Sequence, residues 1–290
     1  MNVAGVDLGT NTTRLLVADV VDGRVEELHR ESRITRLGEG VDARRRLLPV
    51  PIARVRNVLT DYRRTIESLG ADRTLAVATS AVRDADNAEA FLGEVEWSYG
   101  FTTRLVSGDE EAELTRRGVD PAPGTLVLDI GGGSTELILN GFHVSLPMGS
   151  VRFTERYGED VRRMADEARA LLPELSPRAA VGVAGTATQL AAFETADVHG
   201  FRLSRARAHE LLESLAAMTV EERGALPRME PGRAPVIVAG GAILLAVIDA
   251  YGLDEIEISR HDLLDGIALA AAELPEPVEG DAPPGAYTCC

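Results

Sequence analysis

The sequence feature that most constrains the fold is a short polar turn that occurs twice, each time between two apolar strands. The first turn runs from Asp7 to Thr13 and the second from Asp129 to Thr135. Each opens with an aspartate, continues with glycine and hydroxyl-bearing residues, and is flanked on both sides by an apolar run of strand length. Each turn is therefore predicted to be the tip of a β-hairpin, and the chain is predicted to contain the same structural unit twice.

Turns of this composition are suited to phosphate. Their backbone N–H groups and hydroxyls converge on one point, where an anion can bind. The candidate phosphate-binding residues are Gly9, Thr10 and Asn11 in the first turn and Gly131, Gly132, Gly133 and Ser134 in the second. A single glycine-rich turn can equally be no more than a turn, so the indication comes from the pair.

Three acidic residues in or beside the turns are candidate ligands for a hard cation such as Mg²⁺. Asp7 and Asp129 each end a strand, and as a facing pair they would hold one ion directly or through water. Alone, each would be interpreted as the cap of an Asx-type turn. Glu136 lies in the strand after the second turn, where a buried carboxylate is costly unless a metal ion or water satisfies it.

The basic residues exclude one common class of phosphate-binding enzyme. All 30 of them are arginine and none is lysine, whereas a Walker-type phosphate loop requires its lysine. The net charge is −16, and a strongly acidic protein repels nucleic acid and other polyanions. No nucleic-acid partner is therefore expected, and a polyphosphate-type substrate is expected to bind together with Mg²⁺ or along an arginine-lined groove.

The length of 290 residues suggests two domains. Strand, turn, strand and strand, followed by alternating helices and strands, occur twice. This pattern predicts an α/β fold with domains in residues 1–120 and 121–274, and then a disordered tail, residues 275–290, that ends in Cys289 and Cys290. No apolar run reaches the length of a membrane span, and the first residues lack the features of a secretory signal. We therefore expect a cytoplasmic protein with no membrane partner.

One segment of the second half has two interpretations. Pro235–Ala239 is a short apolar run typical of a buried strand, and Gly240 and Gly241 are predicted to begin the helix that follows. A glycine pair at a helix start would suit nucleotide phosphates. The alternative is that the two glycines only allow tight packing between the helix and a strand.

Several motifs in a fixed order make the chain resemble a known family. The matching stretches are Asp7–Asn11, Ala78–Asn87, Ser107–Ala112, Asp129–Glu136, Met148–Arg152, Gly185–Thr186 and His261–Gly266. Together they resemble the exopolyphosphatase and guanosine pentaphosphate phosphohydrolase (Ppx/GppA) family in its short two-domain form, within the superfamily of actin, hsp70 and the sugar kinases. The resemblance implies two actin-like (ribonuclease H-like) domains with a cleft between them, across which the two phosphate turns face each other.

The resemblance also assigns two roles that spacing alone does not. In the family, the second glutamate of the Ser-Gly-x-Glu-Glu motif is the proposed general base, and Glu111 corresponds to it here. By spacing alone, Ser107 and Glu110 form a helix capping box, and Glu111 is one of several acids in the first turn of that helix. Arg83 follows the strand Leu75–Thr79 and is implied to clamp a phosphate; without the resemblance it would be interpreted as a solvated arginine.

The activity that these residues imply is Mg²⁺-dependent hydrolysis of a phosphoanhydride. The first hypothesis is an exopolyphosphatase that releases terminal orthophosphate from inorganic polyphosphate by attack of water, with Glu111 as the general base. The alternatives are hydrolysis of guanosine pentaphosphate at the same site, and a nucleotide-binding regulator that hydrolyses little. A homodimer would suit long polyphosphate chains, although the sequence itself does not show one.

Overall fold

The computed structural model describes residues 1–275 of the chain. The strands are β1 (Asn2–Leu8), β2 (Thr12–Val21), β3 (Arg24–Ile34), β4 (Arg73–Ala78), β5 (Thr102–Leu105), β6 (Thr125–Ile130), β7 (Thr135–Leu139), β8 (Phe142–Leu146), β9 (Ala179–Val183), β10 (Arg202–Ser204) and β11 (Glu255–Ile258). The helices are α1 (Val41–Arg44), α2 (Pro49–Leu69), α3 (Ser80–Arg83), α4 (Ala88–Tyr99), α5 (Gly108–Val119), α6 (Ser150–Tyr157), α7 (Val161–Leu171), α8 (Ala184–Ala192), α9 (Arg205–Ala216), α10 (Val220–Gly224), α11 (Ile237–Ala250) and α12 (Leu263–Ala272). The predicted disordered tail beyond Pro275, with Cys289 and Cys290, lies outside the described residues.

None of the helices in residues 1–275 is both long enough and apolar enough to cross a membrane.

The chain divides into two compact units, each built on one sheet. The first unit is Met1–Gly118 together with the segment that begins at Leu263, and the second is Val119–Asp262. The strand order is β3-β2-β1-β4-β5 in the first sheet and β10-β11-β9-β6-β7-β8 in the second. In both sheets an antiparallel meander is followed by strands that run parallel to its first strand, β4 and β5 in the first sheet and β9 and β11 in the second. The edge strand β10 of the second sheet pairs antiparallel with β11. The predicted α/β fold with two actin-like units is therefore confirmed, whereas the cleft stays a prediction.

The central strands of the first sheet are buried on both faces because they send alternate side chains into two cores. Ala4, Val6 and Leu8 of β1 belong to the core that α2 and α4 cover. Val3 belongs to a second core, which α12 covers. Helix α2 presents one side chain to its core about every turn, as the helical period requires: Val55, Leu59, Tyr62 and Ile66.

The last helix packs on the first unit, which corrects the predicted assignment of residues 121–274 to one domain. Helix α12 contacts β1, β2 and β4, and two glycines allow its close approach. A Cβ on Gly5 would lie 3.1 Å from a methyl group of Ile267, and a Cβ on Gly266 would lie 1.9 Å from the carbonyl oxygen of Leu114. The composition of the sequence does not change where the chain returns to the first unit. An assignment by order along the sequence therefore gives this helix to the wrong domain.

The predicted strand Pro235–Ala239 is also wrong, because most of it lies in α11. This helix is apolar around its circumference and buried from Ile237 to Ile248. A helix without a polar face has no periodicity that separates it from a buried strand.

The two glycines of this segment lie inside α11 and not at its start. A Cβ on Gly240 would lie 2.7 Å from the hydroxyl of Thr186 in α8, and one on Gly241 would lie 3.2 Å from Leu212 in α9. Both glycines therefore serve close packing between helices, which favours the packing interpretation over a nucleotide site.

Candidate active site

The first phosphate turn connects β1 to β2. One backbone hydrogen bond closes it, from the N–H of Gly9 to the carbonyl oxygen of Thr12 at 3.1 Å. The carbonyl oxygens of Thr10 and Asn11 accept hydrogen bonds from the segment that follows β3. Nothing within residues 1–275 accepts a hydrogen bond from the N–H groups of Thr10 and Asn11, so both donors are available to an anion.

The second phosphate turn repeats this arrangement between β6 and β7. The N–H of Gly131 donates to the carbonyl oxygen of Ser134 at 3.0 Å, and the carbonyl oxygens of Gly131 and Gly132 accept from the first residues of α6. The guanidinium of Arg152 in α6 also donates to the carbonyl oxygen of Gly133 at 2.6 Å. In the part of the chain that the structure describes, the N–H groups of Gly132 and Gly133 have no acceptor.

The two turns thus have the same pattern of backbone hydrogen bonds although their sequences differ. In both, the first glycine closes on the residue three positions later, and a later segment of the same unit satisfies the carbonyl oxygens. When carbonyl oxygens are held in this way, the remaining N–H groups form a concave donor surface that suits a phosphate.

Asp129 and Glu136 are directly opposite each other in the β6–β7 pair. Both are buried, at 5% and 1% exposure, and the hydroxyl of Ser145 donates to Glu136 at 2.8 Å. Two carboxylates on neighbouring strands repel each other, and a cation bound beside them would offset that repulsion. Mg²⁺ usually takes one or two carboxylates and fills its other positions with water and substrate phosphate. The donor set therefore fits Mg²⁺.

Asp7 has a different environment, in the first unit. Its Oδ2 accepts a hydrogen bond from Nε of Arg14 at 2.8 Å, and the two residues are cross-strand partners in β1 and β2. The guanidinium already compensates the carboxylate and repels a second cation. Asp7 therefore already has a cation 2.8 Å from one of its carboxylate oxygens. Within residues 1–275, no group of three or more His, Cys, Asp and Glu side chains could hold a metal ion.

Two adjacent glutamates at the start of helix α5, Glu110 and Glu111, lie in different environments. The hydroxyl of Ser107 accepts from the N–H of Glu110 at 3.2 Å, and Glu110 accepts from the N–H of Ser107 at 2.8 Å, which is the predicted capping box. These hydrogen bonds, that from the backbone of Ser107 first, hold the pKa of Glu110 below its ordinary value of 4.5. Glu110 is exposed, whereas Glu111 is buried at 6% exposure. Only Glu111 points into the protein.

Glu111 meets Arg83 inside the first unit. Nη1 of Arg83 donates to Oε2 of Glu111 at 3.1 Å and to the carbonyl oxygen of Val106 at 2.8 Å. A guanidinium at this distance favours the ionised carboxylate, the form that a general base requires. Arg83, which was predicted to clamp a phosphate, therefore contacts Glu111, the predicted general base.

The contact between Arg83 and Glu111 was not predicted from the sequence, although a signal for it exists. Arg83 follows β4 and Glu111 follows β5, and these strands are parallel neighbours. The carboxyl ends of neighbouring parallel strands share one edge of the sheet, where ligands bind in α/β folds. Ser145 was also missed, although it is the cross-strand partner of Glu136 in β7–β8.

A pocket of about 830 Å³ in the second unit is a separate feature. Its lining includes His199, Tyr251 and His261. Burial raises the pKa of Tyr251 to about 12, and its hydroxyl donates to the carbonyl oxygen of Pro173 at 2.8 Å, so Tyr251 acts as a neutral anchor. None of the phosphate-turn residues of this unit lines the pocket.

Comparison with known proteins agrees with this geometry. The model of the Ppx/GppA phosphatase family matches residues 16–273. The chain belongs to the Ppx/GppA phosphatase family. The predicted family and the predicted enzyme class, a phosphohydrolase, are thereby confirmed.

Individual relatives resemble the chain over nearly its whole length. Exopolyphosphatase 2 of Mycobacterium tuberculosis is 38% identical to this chain. The alignment covers 93% of this chain and 98% of that protein. The crystal structure of the Aquifex aeolicus member of the Ppx/GppA family is 30% identical, with a TM-score of 0.76, and covers 94% of this chain and 98% of that one. An exopolyphosphatase from Cytophaga hutchinsonii is 24% identical, with a TM-score of 0.86 and coverage of 96% and 100%, and shows the shared fold.

Proposed function

We propose that this phosphatase is an Mg²⁺-dependent exopolyphosphatase, which releases terminal orthophosphate from inorganic polyphosphate with Glu111 as the general base. The observation that carries the proposal is the contact between the half-buried Arg83 and the buried Glu111 at 3.1 Å. It gives an otherwise costly buried carboxylate a partner that favours its ionised form. The similarity to Exopolyphosphatase 2 over 93% of the chain supports polyphosphate as the substrate.

The proposed reaction is attack of one water on the terminal phosphorus. Glu111 accepts a proton from that water, a new P–O bond forms, and the bridging P–O bond breaks with its electron pair on the shortened chain. In the first unit the N–H groups of Thr10 and Asn11 would bind phosphate oxygens, and in the second unit those of Gly132 and Gly133 are suited to the same ligand class.

Asp129 and Glu136 would hold the Mg²⁺ ion, with Ser145 orienting the Glu136 carboxylate. Bound Mg²⁺ neutralises phosphate oxygens and so reduces their repulsion of the attacking water. Asp7 is assigned instead to the ion pair with Arg14, which fixes the start of the first turn.

Polyphosphate is favoured over guanosine pentaphosphate by the position of Gly240 and Gly241. Both are packed inside α11 against Thr186 and Leu212, so this segment offers no room for a nucleoside. The same packing argues against a nucleotide-binding regulator. A homodimer and a cytoplasmic location stay predictions.

The experiment that tests the proposal measures phosphate release from long-chain polyphosphate and from guanosine pentaphosphate, each with Mg²⁺ and with a chelator. Release from polyphosphate that requires Mg²⁺ and exceeds release from the nucleotide is expected. Faster release from guanosine pentaphosphate would assign the alternative substrate, and no release from either would favour a regulator.

A further inference from the structure

Four exposed arginines lie in the segment between β3 and α2: Arg36, Arg44, Arg45 and Arg46, which we call the arginine patch. The whole chain has a net charge of −16, so a concentration of cations facing solvent is contrary to its general electrostatic character. Exposed positive charge of this kind attracts polyanions.

One end of this segment is fixed to the first phosphate turn. The N–H of Arg36 donates to the carbonyl oxygen of Asn11 at 2.9 Å, and the N–H of Gly38 donates to that of Thr10 at 2.8 Å. A Cβ on Gly38 would lie 2.3 Å from the methyl group of Thr10, so only glycine allows this approach. The arginine patch therefore begins beside residues proposed to bind phosphate.

The other end is fixed to the segment that carries Arg83. The N–H of Asp86 donates to the carbonyl oxygen of Arg45 at 2.8 Å, and the guanidinium of Arg45 lies 3.7 Å from the carboxylate of Asp84. Since Arg83 directly precedes Asp84, the patch is held between the first phosphate turn and the helix end that contacts Glu111.

Two members of the patch occupy strained backbone conformations. Arg36 has φ 50° and Arg45 has φ 53°, in the left-handed region that favours glycine and is unfavourable for a residue with a Cβ. The side chain of Arg45 is 58% exposed, so packing does not account for an arginine at this position. The left-handed backbone of Arg45 is that of the C-cap of α1, where its N–H donates to the carbonyl oxygen of Val41.

Within residues 1–275, Asp84 is the one acid that forms an ion pair with an arginine of the patch. The segment between β3 and α2 itself holds four arginines and two acids, and one of the acids, Glu39, lies 2.7 Å from Arg54 of α2. The ion pair of Arg45 with Asp84 is long and exposed, and such pairs contribute little. A polyphosphate chain, which carries many charges, would displace it.

We infer that the arginine patch binds the part of the polyphosphate chain behind the terminal phosphate, and that it gives the enzyme a preference for long chains. The inference rests on the proposed function. Arginine suits this role because its guanidinium donates two parallel hydrogen bonds to phosphate oxygens. A substrate as short as tripolyphosphate would gain little from the patch.

The test compares two sets of substitutions. One variant combines Arg44→Gln, Arg45→Gly and Arg46→Gln. The matched control combines Arg162→Gln, Arg163→Gln and Arg169→Gln, which removes the same number of charges at exposed positions of α7. For the patch variant, KM for long-chain polyphosphate should rise about tenfold with kcat unchanged, and KM for tripolyphosphate should stay within about twofold.

Arg45→Gly alone separates a binding role from a structural one. Glycine relieves the left-handed backbone, so the variant should unfold at the same temperature or higher, yet KM for long chains should rise. Unchanged KM for long chains in both variants, or an equal rise for tripolyphosphate, would overturn the inference. A similar rise in the control variant of α7 would show that only net charge matters, which overturns the inference as well.

Failure of the proposed function is recognised separately. Long-chain polyphosphate is titrated by calorimetry into the Glu111→Gln protein, with and without the patch substitutions, at two salt concentrations. If the wild type releases no phosphate, the proposed function fails. The patch is then supported if its substitutions weaken binding and reduce the salt dependence, and rejected if they change neither.

Discussion

Arg83 donates a hydrogen bond from Nη1 to Oε2 of Glu111 at 3.1 Å, and the same nitrogen donates to the carbonyl oxygen of Val106. The second hydrogen bond fixes the guanidinium to Val106, in the connection just before α5. The Arg83 cation is therefore held by the same stretch of chain that carries Glu111. The consequence is a carboxylate that is buried, oriented and favoured in its charged form.

The first prediction concerns Glu111 itself. Glu111→Gln keeps the size and a hydrogen-bond acceptor for Arg83 but removes the basic carboxylate. We expect kcat to fall about 100- to 10,000-fold, the usual contribution of a general base, while polyphosphate binding is retained. The control is Glu110→Gln, the exposed neighbour in the capping box, which should keep its activity. A fully active Glu111→Gln enzyme would refute the assigned base.

The second prediction separates positioning from phosphate clamping by Arg83. Loss of the guanidinium in Arg83→Gln disfavours the ionised carboxylate at Glu111. The acidic limb of the pH–rate profile should therefore move to higher pH, and kcat should fall about 10- to 100-fold.

The control for Arg83 is Arg83→Lys, which keeps the charge. It should move the acidic limb less and recover part of the activity. If Arg83→Gln instead raises KM and leaves the pH profile unchanged, Arg83 clamps phosphate and does not position the base.

Much of the framework around these residues was predictable from the sequence. The two turns, the meanders beside them and the capping box of Ser107 and Glu110 depend on local pattern, and local pattern determines them. The burial of Glu111 was not predictable by spacing, because an acid in the first turn of a helix is usually exposed. The family resemblance, and not the periodicity, identified it.

Contacts between segments distant in sequence were the part that the sequence did not reveal. The packing of α12 on the first sheet depends on space at Gly5 and Gly266, which a linear pattern cannot measure. Helix α11 was predicted in part as a strand because its burial on every side removed the helical periodicity. The paired register of Asp129 and Glu136 depends on the hairpin alone, and it could have been read from the turn length.

The third prediction concerns the metal. If Asp129 and Glu136 hold Mg²⁺, the ion should raise the thermal unfolding temperature of the wild type, because it binds the folded state and not the unfolded one. The gain is about 2.7 kcal/mol when Mg²⁺ is present at about 100 times its Kd. Asp129→Asn should lose most of this gain, because one of the two proposed carboxylate ligands is gone. Asp7→Asn should keep the response, and an equal loss in both variants would contradict the assignment.

The fourth prediction follows from the pKa of Glu110, which the hydrogen bonds of the capping box lower. A lowered pKa in the folded protein stabilises it above the pKa of the unfolded state, and the contribution disappears as the pH falls through the folded value. Glu110→Gln should therefore be less stable than the wild type near neutral pH, and the difference should diminish below pH 4.5. Urea titrations across this range measure it. A difference that does not change with pH would mean that the charge of Glu110 is not involved.

The last prediction tests the close packing of α12. A Cβ on Gly266 would lie 1.9 Å from the backbone carbonyl of Leu114, and backbone atoms cannot move aside as a flexible side chain can. Gly266→Ala should therefore destabilise the protein by about 1–3 kcal/mol or more.

Gly93→Ala is the matched control, because Gly93 is also in a helix but has no atom within 4 Å of the added Cβ. It should stabilise the protein by about 0.5–1 kcal/mol. Urea unfolding of both variants decides the matter: if Gly266→Ala is as stable as Gly93→Ala, α12 does not pack at this distance on α5.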